Sequence, residues 1–372
     1  MKLLPFELKK MLFSKKLFYL MLLLVAGVVL LFLRNVIFES YVEKEERQRI
    51  ESLVQASQSN FRMHQQTLAQ DPENEEVQKL QQINAPLLDR LYELRMLVTT
   101  EDWQYKLTVE NDALEYIKEY KEEGGDFPLT YKEIDHQFAL HEKLLEEDVR
   151  PEHDTYSKTL PNFMKMVINL LVNFGTIIII LLLVGDIMSS EFENRSIQLL
   201  FMQPLQRTHI LTSKFWTSIV SYLVTVGLIL GTVMIVGLIF GEKGTFDYPM
   251  VMEKNNVITF MTVWEYMILA LVVASVTVFL IISLALLYSL FFKHTLSTLF
   301  VLLATLLAGY ALTTFISWET FAWFNPFQYL RPQDMIMYQN DRVWYQGIPV
   351  ILLMTIICYV IARQKIKSSK VD

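Results

Sequence analysis

The sequence predicts an all-α membrane protein, in which six transmembrane helices carry a helical extracellular domain inserted between the first and second spans. Three observations support this fold class. Six apolar runs are long enough to cross a bilayer as helices, which takes about 20 residues. A long polar block, 39–160, separates the first run from the second. Basic residues are concentrated at both ends of the chain.

The apolar runs are evident locally and not in the average composition. The chain of 372 residues is 52% hydrophobic, close to the roughly 45–50% of soluble domains. The predicted spans lie at roughly 17–38, 165–187, 215–240, 262–291, 296–318 and 347–363. The apolar core of the first run exceeds the roughly 7–15 residues of a signal peptide, so we expect it to be a span. The fourth run is long for a single span and is expected to tilt or to extend beyond the bilayer.

Basic residues predict how the spans are oriented in the cell membrane, because cytoplasmic segments of membrane proteins are enriched in Lys and Arg. An even number of spans places both termini on one side. Both tails are basic and are therefore expected in the cytoplasm; their basic residues are Lys2, Lys9, Lys10, Lys15, Lys16, Arg363, Lys365, Lys367 and Lys370. The loop 188–214 then also lies in the cytoplasm, and the block 39–160 lies outside.

These arguments divide the chain into five segments. Residues 1–16 form a cytoplasmic amphipathic helix, 17–38 the first span and 39–160 the extracellular domain. Spans two to six and the loop 188–214 belong to a membrane domain at 161–363, which a cytoplasmic tail at 364–372 follows.

The polar block is acidic and reads as a bundle of about four helices. It contains 28 acidic and 14 basic residues, whereas the rest of the chain contains 12 and 19. Apolar residues recur at helical spacing around Pro86, which we expect at a helix start. A second helix is expected to stop at Gly124-Gly125. A third opens with the capping box Thr130–Glu133, and Pro151 is expected to end it.

The sequence predicts no catalytic chemistry, cofactor, metal site or nucleic-acid partner. Four histidines lie in the polar block, and we expect them on its solvated surface: His64, His136, His141 and His153. The sequence contains no phosphate-binding loop and no nucleophile elbow. We therefore expect the chain not to be an enzyme.

Glu265, at the outer edge of the fourth span beside Trp264 and Tyr266, is a candidate for lining a transport pathway. The alternative is an ordinary interfacial charge.

The loop 188–214 has features of a docking element. Ser190 and Glu193 match a capping box, and Ile197, Leu200 and Phe201 share one face of a short amphipathic helix. Pro204 is expected to close that helix, and Arg207, a second helix start at Thr208 and Lys214 lead into the next span. Connections between packed helices usually take about 2–8 residues, so the length of this loop favours docking over a simple connector.

This loop also resembles the one between the second and third spans of permeases in type-2 ATP-binding-cassette exporters. The resemblance rests on Glu191-Phe-Glu193, Ser196-Ile197, Leu200, Pro204, Arg207, Ile210-Leu211 and Lys214. Members of that family usually have Gly where this chain has Arg195. The six spans, the amphipathic N-terminal segment and Asn325-Pro326 fit the same family. A large external insertion after the first span is typical of the members that export peptides, antibiotics or ions.

The resemblance implies a membrane subunit that pairs with a second permease, identical or not, and with two cytoplasmic ATPase subunits. The helix around 196–203 would be the coupling helix that enters a groove of the ATPase. The coupling residues implied are Glu191, Glu193, Ser196, Ile197, Leu200, Phe201, Pro204 and Arg207. The expected substrate is a peptide, an antimicrobial or another amphipathic molecule. Two alternatives stay open: a membrane sensor or scaffold with a ligand-binding external domain, and an ion-coupled transporter.

Overall fold

The computed structural model describes residues 3–202, 206–255, 257–315, 324–339 and 344–368. The described residues are 79% helical, consistent with an all-α membrane protein. Two helices precede the polar block: α1, Leu4–Leu12, and α2, Lys15–Ile37. The block itself forms α3, Glu39–Gln70, α4, Glu75–Met96, α5, Trp103–Glu122, and α6, Tyr131–Glu147.

The rest of the chain forms the membrane domain. Its helices are α7, Leu160–Leu170, α8, Thr176–Val184, α9, Ser189–Glu193, α10, Ser196–Met202, α11, Arg207–Phe240, α12, Val263–Phe292, α13, Thr295–Phe315, α14, Pro332–Met337, and α15, Ile348–Ser368. A π-helical turn, Leu171–Gly175, joins α7 to α8, and a 3₁₀ turn, Pro326–Leu330, precedes α14. Among the described residues, five helices are long and apolar enough to span a membrane: α2, α11, α12, α13 and α15.

The second predicted span is bent and not a single straight helix. Its two parts, 160–173 and 176–193, meet at 53°, and counting them as one span gives the predicted total of six. The π-helical turn lies at the bend, and such turns are a common cause of helix kinks. The last residues of the fifth predicted span, 316–318, lie outside the described residues.

Helix α12 is the central helix of the membrane domain. Of its apolar window 61% is buried inside the protein, against 17–33% for the other four single spans. It packs against α7, α8, α11, α13 and α15. The other spans expose long apolar side chains on their outer faces, which suits helices that contact lipid on one side.

The four helices of the polar block confirm the number predicted. The capping box of α6 is present, with Thr130 and Glu133 bonding to each other's backbone N–H groups. Gly124 takes a φ of 86° just after α5. Pro86, however, lies inside α4, because Asn74 caps an earlier start by accepting from the N–H of Val77. Helix α6 ends before Pro151, since Asp148 adopts a left-handed φ of 54°.

A single residue separates α2 from α3. Phe38 ends the first helix by donating its N–H to Arg34 O, and it accepts from the N–H of Val42 in the second. Its ring stacks on Tyr156 at 5.6 Å, and Arg34 donates to Thr155 O at 2.8 Å. The first span and the first helix of the polar block are therefore joined with almost no loop between them.

The structure adds a small sheet that the all-α prediction lacks. Strands β1, Pro249–Lys254, and β2, Val257–Thr262, form an antiparallel hairpin between α11 and α12. Strand β3, Tyr338–Gln339, lies parallel to β1, so the strand order is β2-β1-β3. Lys132 of α6 forms an ion pair with Glu253 of β1, which connects the polar block to this sheet. Apolar residues follow one another in both six-residue strands of the hairpin, so the sequence lacks the apolar–polar alternation that indicates a half-buried strand.

Two of the four histidines are buried, which corrects the prediction of a solvated surface. His64 lies against Tyr120, with 3.1 Å between Nε2 and the hydroxyl oxygen. His141 lies 2.9 Å through Nδ1 from Oδ1 of Asn111, beside Glu110. Each sits on the inner face of a helix, where the sequence position alone did not separate core from surface.

We expect the polar block to lose stability on acidification. Burial lowers the pKa of both His64 and His141, although the carboxylate of Glu110 opposes the shift at His141. The unfolded chain, with histidine pKa values of about 6.5, therefore binds more protons than the folded chain as the pH falls through that value. Hydrogen exchange of α3–α6 in the full chain, corrected for intrinsic rates, should show protection decreasing from pH 7.5 to about 5.5.

The non-titrating double variant His64→Gln, His141→Asn is the control for this effect. It should show a flatter pH dependence, whatever its stability at pH 7.5. Equal pH dependence in the variant and the parent chain would assign the effect to other groups.

Candidate functional site

Three buried charged side chains and one exposed lysine form an ion cluster where the loop 188–214 meets α1. At its centre, the side chain of Lys214 is 1% exposed. Its Nζ lies 3.2 Å from Glu191 Oε1 and 3.5 Å from Glu7 Oε2, and it donates to Ile187 O at 2.9 Å. Lys10 adds a second cation, with its Nζ 2.8 Å from Glu191 Oε1. The cluster is Glu7, Lys10, Glu191 and Lys214.

Glu191 joins three helices through this cluster. Its carboxylate bonds to Lys10 of α1 and to Lys214 of α11, and Ser196 at the start of α10 donates its hydroxyl to the same carboxylate. Two carboxylates and two ammonium groups balance in charge, and the buried Lys214 forms ion pairs with both carboxylates. The cluster therefore fixes the position of α10 against α1 and the third span.

Glu193 caps another helix instead of its own. The predicted capping box with Ser190 is wrong, because α9 already begins at Ser189 and Ser190 lies within it. The Glu193 carboxylate instead accepts from the backbone N–H of Thr295 at 3.3 Å, at the start of α13. A carboxylate there satisfies a free N–H and favours the helix dipole. The loop is thereby bonded to the fifth span.

The apolar face of α10 is turned mainly toward the chain's own core. Ile197 is buried, and Leu200 and Phe201 are half-buried against the core of the membrane domain. The apolar side chains that α10 exposes are Leu199, at 65%, and Met202, at 72%. Helical spacing identified one apolar face, but could not indicate that this face packs within the chain.

The end of α10 and the start of α11 are joined by a cation–π contact. The guanidinium carbon of Arg207 lies 4.5 Å from the ring centroid of Phe201. Helix α11 begins at Arg207, one residue before the predicted start at Thr208. Pro204, which the sequence predicts as the end of α10, lies outside the described residues.

Arg195 takes a backbone conformation that favours glycine. Its φ is 57°, in the left-handed region, where it links α9 to α10. Its N–H donates to Phe192 O at 3.1 Å, and its own carbonyl accepts from Gln198. The Gly usual at this position in the permeases that the loop resembles is explained by this turn, which Arg195 makes at a cost in backbone strain.

We expect Arg195→Gly to be tolerated and Arg195→Ile to destabilise the loop. Glycine removes the strain of a left-handed residue but adds entropy to the unfolded chain, so its net effect should be within about 1 kcal/mol. A β-branched side chain at positive φ should cost about 1–3 kcal/mol. Thermal unfolding of the purified chain, with hydrogen exchange at 192–198, measures the difference. Equal loss of protection in both variants would exclude backbone strain as the cause.

Glu265 has a local role at the other end of the membrane domain. Its carboxylate accepts from the N–H of Thr262 at 3.1 Å, and its own N–H donates to the Thr262 hydroxyl, so the pair caps α12. The opposite end of α12 lies beside the loop, where Nζ of Lys293 is 6.0 Å from the ring centroid of Phe192. A helix of this length separates the two sites by roughly 40 Å. The structure thus does not bring Glu265 to the other predicted site residues.

The sequence did not predict that α1 contributes to the site. Lys10 and Lys214 contributed to the positive charge that predicted orientation, and Glu7 was not singled out. One signal was present, because Glu7 is the single acid among five lysines in residues 1–16. Glu7 stands out in this segment for that reason, but its partner Lys214 could not be read from the sequence.

Comparison with known proteins identifies the family. The model for the ABC-2 family transporter protein matches residues 15–363, nearly the whole chain. No curated protein and no solved structure matches the chain significantly. Permeases of this family work with a cytoplasmic ATP-binding-cassette ATPase. The chain therefore belongs to the ABC-2 transporter family, as a multi-pass membrane permease subunit.

Proposed function

We propose that this chain is the non-catalytic permease of an ATP-driven exporter, and that its partner ATPase docks on α10. The observation that carries the proposal is the pair of exposed apolar side chains, Leu199 and Met202, on a short helix fixed to the ends of membrane helices. Exposed apolar side chains on a rigid element are suited to entering a groove of a partner. ATP hydrolysis would take place on that partner.

The contacts of α9 and α10 supply a path for movement from the ATPase to the spans. Through Glu191 the pair is connected to α1 and α11, and through Glu193 it is connected to α13. Lys293 at the end of α12 lies against Phe192 of α9. A displacement of α10 would therefore act, through α9, on the spans α11, α12 and α13.

The proposed topology places both termini and this loop in the cytoplasm, with 39–160 outside. In support, α1, the loop and the end of α15 lie at one end of the membrane domain, where Nζ of Lys365 is 4.8 Å from the ring centroid of Phe291. The polar block joins the opposite end, where Lys158 pairs with both Glu39 and Glu242. The basic tails identify the first end as cytoplasmic.

The proposed transporter contains two permeases and two ATPases, and its substrate is a peptide, an antimicrobial or another amphipathic molecule. The acid excess of the polar block supports a cationic substrate, because an acidic outer surface attracts cations through its long-range field. Of the two alternatives, neither the sensor nor the ion-coupled transporter accounts for a family match across 15–363.

Inverted membrane vesicles that contain the permease and its ATPase test the proposal. A fluorescent cationic amphipathic peptide should enter such vesicles only with hydrolysable ATP, and uptake should persist when ionophores collapse the ion gradients. Vesicles with the permease alone are the control for passive binding. Uptake that requires a gradient and no ATP would instead identify an ion-coupled transporter.

A further inference from the structure

A cavity of about 190 Å³ lies beside the ion cluster, between α1, the start of α2, the end of the second span and α11. Its walls combine charged and apolar side chains. The charged ones are Lys10, Lys16, Lys214, Glu7, Asp186 and Glu191. Leu17 and Leu183, both buried, supply part of the apolar wall. A space with walls of this kind at the end of membrane helices is suited to one end of an amphipathic molecule.

The size of the cavity limits what it can hold. A single water needs about 10–15 Å³, so the space is far larger than a hydration site. It is smaller than the roughly 300–1,000 Å³ of pockets that enclose drug-sized ligands. The cavity therefore fits a polar headgroup, and the remainder of such a ligand must lie outside it.

Two of the lysines can turn to a ligand at small cost. The side chain of Lys16 is 49% exposed, and its pair with Asp186, at 2.7 Å, is a surface ion pair of the kind that contributes little to stability. Lys10 is also exposed, and its partner Glu191 keeps Lys214 and Ser196 when Lys10 leaves. Lys214 itself is enclosed and stays with its two carboxylates.

The charges indicate a zwitterionic ligand. Three lysines and three acids make the cavity neutral, so an added phosphate alone would take Lys16 and leave Asp186 without its cation. A ligand with both a phosphate and an ammonium group avoids this loss. Its phosphate would accept from Lys10 and Lys16, and its ammonium would donate to Asp186 in place of Lys16.

We propose that this cavity binds the headgroup of a phosphatidylethanolamine-type phospholipid. Its acyl chains would lie along the outer face of α2, where Phe18 and Leu22 are exposed just beyond Lys16. The proposal rests on the membrane placement of the proposed function, since it requires α1 at the bilayer surface. Free phosphoethanolamine has the same headgroup chemistry but no acyl chains.

Native mass spectrometry of the purified full chain tests this proposal. The chain is mixed with equal amounts of phosphatidylethanolamine, phosphatidylglycerol and phosphatidylcholine of the same acyl chains, and retained lipids are counted. We expect about tenfold preference for phosphatidylethanolamine over phosphatidylcholine, which has no N–H to donate to Asp186. Equal retention of the three lipids would overturn the proposal.

Substitutions assign the preference to the cavity. Asp186→Asn should abolish the preference for phosphatidylethanolamine and increase retention of phosphatidylglycerol. Lys16→Gln should weaken retention of phosphatidylethanolamine about tenfold, whereas its exposed neighbour outside the cavity, Lys15→Gln, should not. A preference that Asp186→Asn leaves unchanged would overturn the proposal.

A competition arm separates the two sources of the headgroup. Soluble phosphoethanolamine in excess should not displace the lipid, because it lacks the apolar contacts with α2. Displacement at equal concentration would identify a small-molecule site and overturn the lipid assignment. None of these measurements involves an ATPase or transport, so failure here is distinguishable from failure of the proposed function.

Discussion

Replacing both Leu199 and Met202 with aspartate is expected to release the partner ATPase from an intact permease. Both side chains are largely exposed on α10, so the change removes little packing within the chain. Burial of each in a partner groove would contribute about 1.5–3 kcal/mol, so the dissociation constant should rise about a hundredfold or more. Co-purification of the ATPase with the permease, at matched expression, measures the loss.

The same helix provides the matched controls. Gln198→Asp adds a negative charge at an exposed polar position of α10 and should leave the ATPase bound. Leu200→Asp places a charge against the core and should reduce the yield of folded permease. Glu193 is a poor probe, because its removal also uncaps α13. If the Leu199 and Met202 variant is folded and keeps its ATPase, α10 is not the docking helix.

Lys214→Met is expected to destabilise the permease far more than Lys10→Met. Without Lys214, the buried carboxylate of Glu7 loses its ion-pair partner and that of Glu191 keeps only Lys10. Leaving a buried charge without its partner costs about 3–5 kcal/mol. Loss of the exposed Lys10 should cost about 1 kcal/mol or less, because Glu191 keeps Lys214.

Thermal unfolding of the two variants in detergent measures this difference. A rescue variant gives the sharper test, since removing the three buried charges together leaves no buried charge unpaired, and the remaining Lys10 is exposed. Lys214→Met combined with Glu7→Gln and Glu191→Gln should therefore regain much of the lost stability. Equal unfolding temperatures for Lys214→Met and Lys10→Met would show that Lys214 is not part of a buried cluster in the membrane.

Long periodic features were predictable from the sequence because their signals are summed over many residues. The apolar runs that form α11 and α12 are longer than the apolar stripes of typical soluble helices. The capping box of α6 combines two chemical signals at a fixed spacing. The bend in the second span was not predictable. It depends on one π-helical turn within an apolar run, and the same apolar sequence fits a straight helix and a bent one.

The candidate site was only partly predictable from local sequence patterns. The apolar face of Ile197, Leu200 and Phe201 was correctly found but assigned to a partner, because a periodic face does not identify what it packs against. Glu193 matched a capping box with Ser190, yet its acceptor capacity is used by Thr295, about a hundred residues later in the chain. A local sequence pattern does not identify the distant residue that a side chain contacts.

The junction at Phe38 has a thermodynamic consequence for communication across the membrane. Only Phe38 separates α2 from α3, so the first span and the polar block are joined with almost no loop, whereas the extended backbone at Ser14 separates α1 from α2. Coupling free energies between two binding sites are reciprocal. Consider a molecule whose binding to the polar block shifts α2 and α3, and an ATPase whose docking shifts the same helices. Each must then change the affinity of the permease for the other by the same factor.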